Sequence, residues 1–235
     1  MAKQSTCRTL EGVDLKTIGY RDAWELQRAR AELRKAGEVE DRLYLLEHPH
    51  TYTLGKTADK NNLVGSPEWL ERRGVEVFEI DRGGDITYHG PGQIVGYPII
   101  HLSAWKEDAH EYLRALEETI IRALADYEIT AGRAEGLTGV WVEGRKVAAI
   151  GVKISRWVTM HGFALNVNTD LDLFKGIVPC GLVGKPVTSM QAELGREIPL
   201  DDVKATLFEQ FVEIFGYDSF VGREEDLDEI RKGAI

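Results

Sequence analysis

The spacing of the helices along the chain is the feature that most restricts its fold. Apolar residues recur at helical spacing in three segments, which predicts helices over Asp22–Ala36, Asp108–Tyr127 and Asp201–Phe215. The segments between them are typical of strands joined by hairpin-type turns. Three helices so unevenly spaced are too few for a repeated strand–helix alternation. The pattern therefore predicts an α+β domain with a mixed or antiparallel sheet.

The strands are predicted from short apolar or alternating runs. They cover Leu43–Glu47, Tyr52–Leu54, Val75–Ile80, Ile94–His101, Val140–Val142, Lys146–Ile154 and Trp157–Asn166. Asp22 is a predicted N-cap, Asp108 lies near the start of the second helix, and Gly37 and Gly216 are predicted stops. The chain has 235 residues, so we expect a single domain over residues 1–235, with a charged tail from about residue 222.

Charge and cysteine content restrict the function and the compartment. The formal net charge is −10, whereas nucleic-acid binding needs a dense basic surface, so nucleic acid is not an expected partner. No apolar run approaches the roughly 20 residues that span a bilayer, and the N-terminus lacks a signal-peptide pattern. Cys7 and Cys180 are expected to be thiols in a reducing compartment. The sequence predicts a cytoplasmic protein without membrane attachment.

The run Arg82–Gln93 has the highest density of residues suited to ligand binding. Its four glycines would let the backbone approach a ligand closely, while Arg82, His89 and Gln93 could hold a polar group. The run contains neither the dinucleotide-binding glycine pattern nor a P-loop. Composition leaves two interpretations open, a strand-connecting turn and a ligand-binding loop.

Cys180 and Lys146 are the candidates for thiol chemistry. Cys180 lies between Pro179 and Gly181, which mark a turn, and an inert buried thiol is the alternative role. Lys146 follows a predicted hairpin turn over residues 143–145, where a solvated lysine is the alternative. If the two side chains meet, the ammonium would favour the thiolate and the neutral amine could accept a proton. These residues by themselves leave that contact open.

Histidines are the rival thiol-activating bases. A Cys–His pair would use His89, in the glycine-rich run, or His161, in a predicted strand, although a buried structural histidine is the commoner role for His161. His48 and His50 flank Pro49 and are not spaced as a zinc site. No metal ion and no cofactor are expected.

Several separate motifs resemble, in order, those of the lipoyl(octanoyl) transferase family, also called octanoyl-[acyl carrier protein]:protein N-octanoyltransferases. The motifs are Glu47–Pro49, Tyr52–Gly55, Arg82–Pro98, Gly144–Gly151, His161–Asn166 and Ile177–Gly181. The likeness covers most of the chain, and no motif position departs from the family pattern. It implies the biotin and lipoate protein ligase fold, a mixed sheet flanked by helices.

The resemblance also implies a reaction. The family's nucleophile falls on Cys180 and its paired lysine on Lys146. An octanoyl group would pass from octanoyl-acyl carrier protein, through a Cys180 thioester, to a lysine of a lipoyl domain in 2-oxoacid dehydrogenase E2 subunits or the glycine cleavage H protein. The family's substrate-binding segments fall on Arg82, Gly83, Gly84, Asp85, Ile86, Thr87, Tyr88, His89, Ala149, Ile150, Gly151, Gly162, Phe163 and Ala164. The family resemblance implies a monomer.

Three alternatives share parts of this pattern. An ATP-dependent lipoate or biotin ligase would not need Cys180. An octanoyl amidotransferase would use Cys180 but would take the octanoyl group from a lipoylated protein. A non-catalytic acyl-binding module would not need a reactive thiol.

The implied substrates predict a pocket for the acyl chain and a docking surface for the protein partners. Small residues at Gly151, Gly162 and Ala164 would leave room for an eight-carbon chain. Because the family's protein partners are acidic, a basic docking surface is expected at Arg145, Lys146, Lys153, Arg156, Lys175 and Lys185. The alternative is that these charged residues have no partner and only keep the protein surface soluble.

Overall fold

The computed structural model describes residues 8–178 and 186–223, which form two sheets and five α-helices. In chain order the elements are β1 (Thr9–Thr17), α1 (Tyr20–Ala36), β2 (Asp41–Glu47), β3 (Thr51–Leu54), α2 (Pro67–Arg73), β4 (Glu76–Glu79), β5 (Ile86–His89), β6 (Gln93–Ile99), α3 (Ala109–Ala125), β7 (Gly132–Ala134), β8 (Leu137–Val142), β9 (Arg145–Ser155), β10 (Val158–Asn166), α4 (Met190–Leu194), α5 (Leu200–Phe215) and β11 (Ser219–Arg223). No described helix is long and apolar enough to cross a membrane.

The larger sheet has eight strands in the order β11-β1-β2-β6-β10-β9-β8-β7. β1 runs parallel to both of its neighbours, and the pairs from β2 to β7 are antiparallel. Helices α3 and α5 cover one face, where they enclose the larger apolar core, and α1 packs on the other face. The α+β class with a mixed sheet flanked by helices is confirmed.

A second, three-stranded sheet has the order β4-β3-β5. Its core contains Tyr52, Ile86 and Tyr88, with Leu173 and Ile177 from the segment before the predicted nucleophile. β5 lies inside the glycine-rich run, so that run is partly a strand and not a continuous loop. β4 is an edge strand, which explains why Val77 is 39% exposed although the alternating pattern predicted a half-buried strand.

The helix ends agree with the sequence except at the first N-terminus. Gly37 and Gly216 end α1 and α5 with left-handed backbone angles, and Asp108 accepts hydrogen bonds from the first free N–H groups of α3. The prediction that Asp22 is an N-cap is wrong, because α1 begins at Tyr20 after Gly19. Asp22 instead lies in the first turn, where a carboxylate favours the positive end of the helix dipole.

Four strands (β1, β5, β7 and β11) and two short helices were absent from the sequence prediction. β1 and β11 pair with each other across most of the chain length, from Thr9 with Ser219 to Val13 with Arg223. Helices α2 and α4 span only Pro67–Arg73 and Met190–Leu194. β11 extends over residue 222, where the charged tail was predicted to begin, and residues 224–235 lie outside the described residues.

Strand β10 approaches β6 so closely that glycine is required on both strands. A Cβ atom at Gly162 would overlap the carbonyl oxygen of Gly96 and lie 2.7 Å from Cδ of Pro98, and one at Gly96 would overlap the ring of Phe163. Because the obstacle at Gly162 is mainly backbone, it cannot move aside without displacing a strand. Gly162 is therefore small because of this strand contact rather than to widen a pocket.

We expect Gly162→Ala to destabilise the fold by about 2 kcal/mol, because it overpacks a rigid strand pair. The free energy of unfolding, from urea denaturation, measures the effect. Gly132→Ala is the matched control: a Cβ there meets nothing within 4 Å, so its unfolding free energy should stay close to that of the wild type. Equal stability of both variants would contradict the close-contact explanation.

Candidate active site

A cavity of about 310 Å³ lies between the two sheets. The larger sheet contributes residues of β9 and β10, and the glycine-rich run contributes the opposite wall. The lining residues are Tyr20, Arg82, Gly83, Gly84, Asp85, Ile86, Thr87, His89, Tyr97, Leu113, Gly136, Leu137, Thr138, Lys146, Ala149, Ile150, Gly151, Val152, His161, Gly162, Phe163 and Ala164. The cavity is mostly apolar, with a few polar groups, as is usual for small-molecule sites.

The cavity brings together most of the predicted substrate-binding residues. Every one of the fourteen predicted residues except Tyr88 borders it, and so does Lys146. The Tyr88 side chain instead packs in the core of the second sheet, where its hydroxyl is 2.8 Å from Nδ1 of His50. Cys180 lies outside the described residues. Tyr20, Tyr97, Leu113 and Thr138 also border the cavity. Tyr97 lies within the Arg82–Pro98 motif, whereas no sequence motif had indicated the other three.

A bulge places Lys146 in the cavity wall. Val140 pairs with Ala148 but Trp141 pairs with Lys146, so the register shifts by one residue at Val147. Val147 and Ala148 consequently both enter the core beneath α3, whereas Lys146 and Ala149 both border the cavity. Without this extra residue, the alternation of a strand would turn Lys146 to the opposite face from Ala149.

The chain on either side of the Cys180 segment is anchored near the same wall. The N–H of Val178 donates to the carbonyl of Asn62 at 2.7 Å. After the segment, the N–H of Lys146 donates to the carbonyl of Pro186 at 2.9 Å, and the N–H of Thr188 donates back to the carbonyl of Lys146 at 3.0 Å. Lys146 is thus directly bonded to the strand-like stretch that follows the predicted nucleophile.

Arg82 holds the glycine-rich run in place. Its side chain is buried, and Nη2 donates to the carbonyl and hydroxyl of Thr53 at 2.8 and 3.0 Å, while Nη1 donates to the carbonyl of Gly83 at 2.9 Å. The N–H of Gly83 donates to the carbonyl of Val152 at 2.9 Å, which ties the run to the larger sheet. These bonds fix the position of the cavity wall relative to both sheets.

A chain of hydrogen bonds fixes the protonation of His89. The Asn166 amide donates to the carbonyl of Thr188, so its oxygen accepts from the Gln93 amide, and the Gln93 oxygen is left facing Nδ1 of His89 at 2.9 Å. Nδ1 therefore carries the proton. Burial lowers the pKa of His89 well below its usual value, so the ring is neutral and Nε2 is a hydrogen-bond acceptor at the cavity wall.

His161 is fully buried within β10, as the structural role predicted, but one of its nitrogens lacks a partner. Nε2 donates to Asp81 at 2.9 Å, and Lys153 forms an ion pair with the other carboxylate oxygen. The residue has a left-handed φ of 57°, an uncommon angle for a non-glycine residue. Burial lowers the pKa of His161, so Nδ1 is an acceptor, and no described residue bonds to it.

His48 and His50 have structural partners. Nδ1 of His48 donates to the carbonyl of Ile18 at 2.7 Å, and its Nε2 accepts from the hydroxyl of Tyr97 at 2.8 Å. Burial lowers the pKa of His48 to about 4, so this ring is also neutral. Within residues 8–178 and 186–223, no three side chains of His, Cys, Asp or Glu form a group that could hold a metal ion.

Four cations of the expected docking surface are paired with carboxylates within the chain. Arg145 contacts Glu143 and Glu193, Lys153 contacts Asp81, Arg156 contacts Glu32, and Lys175 contacts Asp172. Lys185 lies outside the described residues. Because each of these four side chains has a carboxylate neighbour, the surface presents less net positive charge than the residue types alone suggested.

Comparison with known proteins assigns the family. The family model for the lipoyl protein ligase A/B catalytic domain matches residues 19–212. A relative named octanoyltransferase from Solibacter usitatus is 54% identical over 208 residues, covering 88% of this chain and 94% of the relative. Another octanoyltransferase, from Rubrobacter xylanophilus, is 54% identical over 84% of this chain and 89% of the relative.

Solved structures show the same fold at much lower identity. A lipoate-protein ligase A bound with ATP superposes with a TM-score of 0.77 at 15% identity, covering 95% of this chain and 93% of that one. Biotin protein ligase from Aquifex aeolicus gives a TM-score of 0.50 at 12% identity, covering 90% and 70%. The fold is that of the biotin and lipoate protein ligases, and the chain belongs to the lipoyl protein ligase A/B catalytic domain family.

We expect Asp81→Asn to destabilise the protein by about 1 kcal/mol at pH 7, since the carboxylate is only partly shielded. Hydrogen bonding to His161, followed by Lys153, lowers the pKa of Asp81. A carboxyl group whose pKa is lower in the folded than in the unfolded state stabilises the fold. This stabilisation is fully present above the pKa of the unfolded state, about 3.9, and is lost as the pH falls towards the pKa of the folded state. The difference in free energy of unfolding between Asp81→Asn and the wild type, measured by urea denaturation, should therefore be constant from pH 7 to 5.5 and shrink below about pH 4.

The control for this prediction is Asp172→Asn. Asp172 also pairs with a lysine, Lys175, but both side chains are more than half exposed, so the loss should be smaller than for Asp81. A pH-independent loss in Asp81→Asn would show that the carboxylate charge has no role in stability.

Proposed function

We propose that the protein is an octanoyltransferase of protein lipoylation, in which Cys180 carries the octanoyl group as a thioester. The observation that supports this most directly is the cavity: a mostly apolar site with Lys146 in its wall, in a chain half identical to proteins named octanoyltransferase. The donor in this proposal is octanoyl-acyl carrier protein. The acceptor is a lysine of a lipoyl domain in an E2 subunit or in the glycine cleavage H protein.

In the first step the Cys180 thiolate attacks the carbonyl carbon of the donor thioester. The new carbon–sulfur bond forms as the bond to the carrier sulfur breaks, and the carrier leaves as a thiolate that takes a proton from the Lys146 ammonium. Because one thioester replaces another, the free-energy change of the step is close to zero and the step needs no ATP. A nearby ammonium on Lys146 favours the thiolate form of Cys180 before the attack.

In the second step the acceptor lysine amine attacks the Cys180 thioester. A carbon–nitrogen bond forms, the Cys180 sulfur leaves as a thiolate, and the product is an amide, which is more stable than a thioester. The attacking amine must lose a proton, and a neutral Lys146 amine can accept it. Lys146 lies over the aromatic face of Trp141, with Nζ 4.8 Å from the ring centre, a contact that attracts the ammonium group.

Each step passes through a tetrahedral oxyanion that backbone N–H groups could stabilise, typically by about 3 kcal/mol for a single donor. The two sources in this proposal are the N–H groups at Cys180–Gly181 and those of the glycine-rich run. In that run the N–H of Gly83 is already donated to Val152, and that of Ile86 to the Asp85 side chain at 2.7 Å. The N–H groups at Cys180–Gly181 and the other N–H groups of the run remain the candidates in this proposal.

We expect wild-type protein mixed with octanoyl-acyl carrier protein, without ATP, to gain one octanoyl group by intact mass. Cys180→Ala should gain none. Lys146→Ala should acylate more slowly, by about a hundredfold at neutral pH, and should show a raised thiol pKa in its rate–pH profile. Lys106→Ala is the matched control, because Lys106 is exposed, does not border the cavity, and contacts Glu111 and the Trp105 ring at the surface.

The same assay separates the alternatives. An adduct that forms in Cys180→Ala, or one that needs ATP, would reject the thioester mechanism and favour a ligase. The amidotransferase reaction is tested by supplying lipoylated H protein as the only donor. If this protein acylates Cys180 and octanoyl-acyl carrier protein does not, the carrier is rejected as the donor. An unchanged pH profile in Lys146→Ala would reject its role.

A further inference from the structure

A buried carboxylate on α3, that of Glu117, has no part in the two transfer steps described above. The residue is only 1% exposed. Its Oε2 accepts hydrogen bonds from Nη1 of Arg114 at 2.6 Å and from Nε of Arg133 at 3.0 Å. A buried carboxylate is costly unless it is paired and hydrogen-bonded, and these two guanidinium groups meet that need on one side of it.

The other oxygen of this carboxylate bonds to the backbone of β8. Oε1 of Glu117 accepts from the N–H of Gly139 at 3.1 Å. Gly139 has a φ of 123°, which L side chains rarely adopt, and a Cβ atom there would lie 2.6 Å from the carbonyl oxygen of Ala148. The bond from Glu117 therefore fixes β8 at a point where the strand leaves regular geometry and lies tightly against β9.

The side chain of Lys146 lies across this same part of β8. Its Cε is 3.4 Å from the position that a Cβ atom of Gly139 would occupy, and its Nζ is 4.8 Å from the ring centre of Trp141. Residues 136–138, which directly precede Gly139, border the cavity together with Lys146. The segment that Glu117 anchors is thus both a piece of the cavity wall and the support on which Lys146 rests.

We propose that Glu117 is a positioning residue for Lys146. Its carboxylate holds β8 at Gly139, and the held strand keeps the Lys146 amine in one place in the cavity wall. This inference rests on the proposed transfer through Cys180 and deepens it. In this role Glu117 touches neither the substrate nor the thiol, and it acts only through the backbone of β8. Such support matters because a small misplacement of a catalytic group slows a reaction strongly.

Glutamine has the size of glutamate but cannot make the same bonds at position 117. Three N–H donors face the carboxylate, two from arginines and one from Gly139, whereas an amide has a single acceptor oxygen. The two cations attract that oxygen more strongly than a neutral N–H does. The amide NH2 group then faces the N–H of Gly139, and the bond that holds β8 is lost.

The test measures acylation of Cys180 by octanoyl-acyl carrier protein over a range of pH. Glu117→Gln should lower the maximal rate at neutral pH about tenfold, with little change in KM for the donor, because a displaced amine stabilises the thiolate less well. Its rate–pH profile should shift to higher pH, in the same direction as that of Lys146→Ala.

Glu118→Gln is the matched control. Glu118 is the next residue of α3, and its described side-chain bonds join it to Arg122 and to the same Arg133, but not to β8. This variant loses an arginine contact and keeps the bond to Gly139, so its rate and its pH profile should match those of the wild type.

A double variant separates positioning from a general effect on the fold. If Glu117 acts through Lys146, Glu117→Gln should cause no further slowing in the Lys146→Ala background, where the amine is already absent. An equal tenfold loss in both backgrounds would overturn the proposal, and so would an unchanged rate and pH profile in the single variant.

Thermal unfolding checks that each variant folds. Glu117→Asp is a second variant: it keeps the charge for the arginines, but the shorter side chain cannot reach them and Gly139 together, so its pH profile should shift in the same direction. If neither variant folds, Glu117 serves the fold and the positioning role is overturned. Failure of wild-type protein to gain an octanoyl group would instead reject the proposed function, so the two failures are distinguishable.

Discussion

The close pairing of β10 with β6 on one side and β9 on the other is the constraint on which the cavity depends. Glycine at 96 and 162 lets β10 lie against β6, and the bulge at Val147 turns Lys146 to the same side as Ala149. Moving β10 outward would separate Gln93 from Asn166 and release the proton position of His89. Strand packing and the polarity of the cavity wall are therefore set by the same few contacts.

Local sequence patterns predicted the three long helices and most central strands, because their apolar faces are continuous in the sequence. β1 was not recognised, and the reason is Glu11, a charged residue that interrupts its apolar pattern. Glu11 is buried because Arg30 and Arg42 both bond to its Oε2 within 2.9 Å. Both arginines lie outside β1, and no local pattern shows that a carboxylate will be satisfied by side chains 19 and 31 residues away.

The candidate site was more accessible to sequence reasoning than the fold around it. Motif residues are adjacent in sequence, so the wall formed by Arg82–His89 could be anticipated as a unit, and the cavity contains all of that run except Tyr88. Tyr20 could not be anticipated, since it is the first residue of a helix that lies outside the sequence motifs. It reaches the cavity through contacts between elements, such as its stacking against His89 with ring centres 5.9 Å apart.

The two sheets are joined at the cavity wall by bonds from the glycine-rich run. There the N–H of Gly83 bonds to Val152, and Arg82 reaches Thr53 in the second sheet. Because both bonds come from adjacent residues, a change in backbone conformation at Arg82 and Gly83 would move the cavity wall relative to both sheets at once.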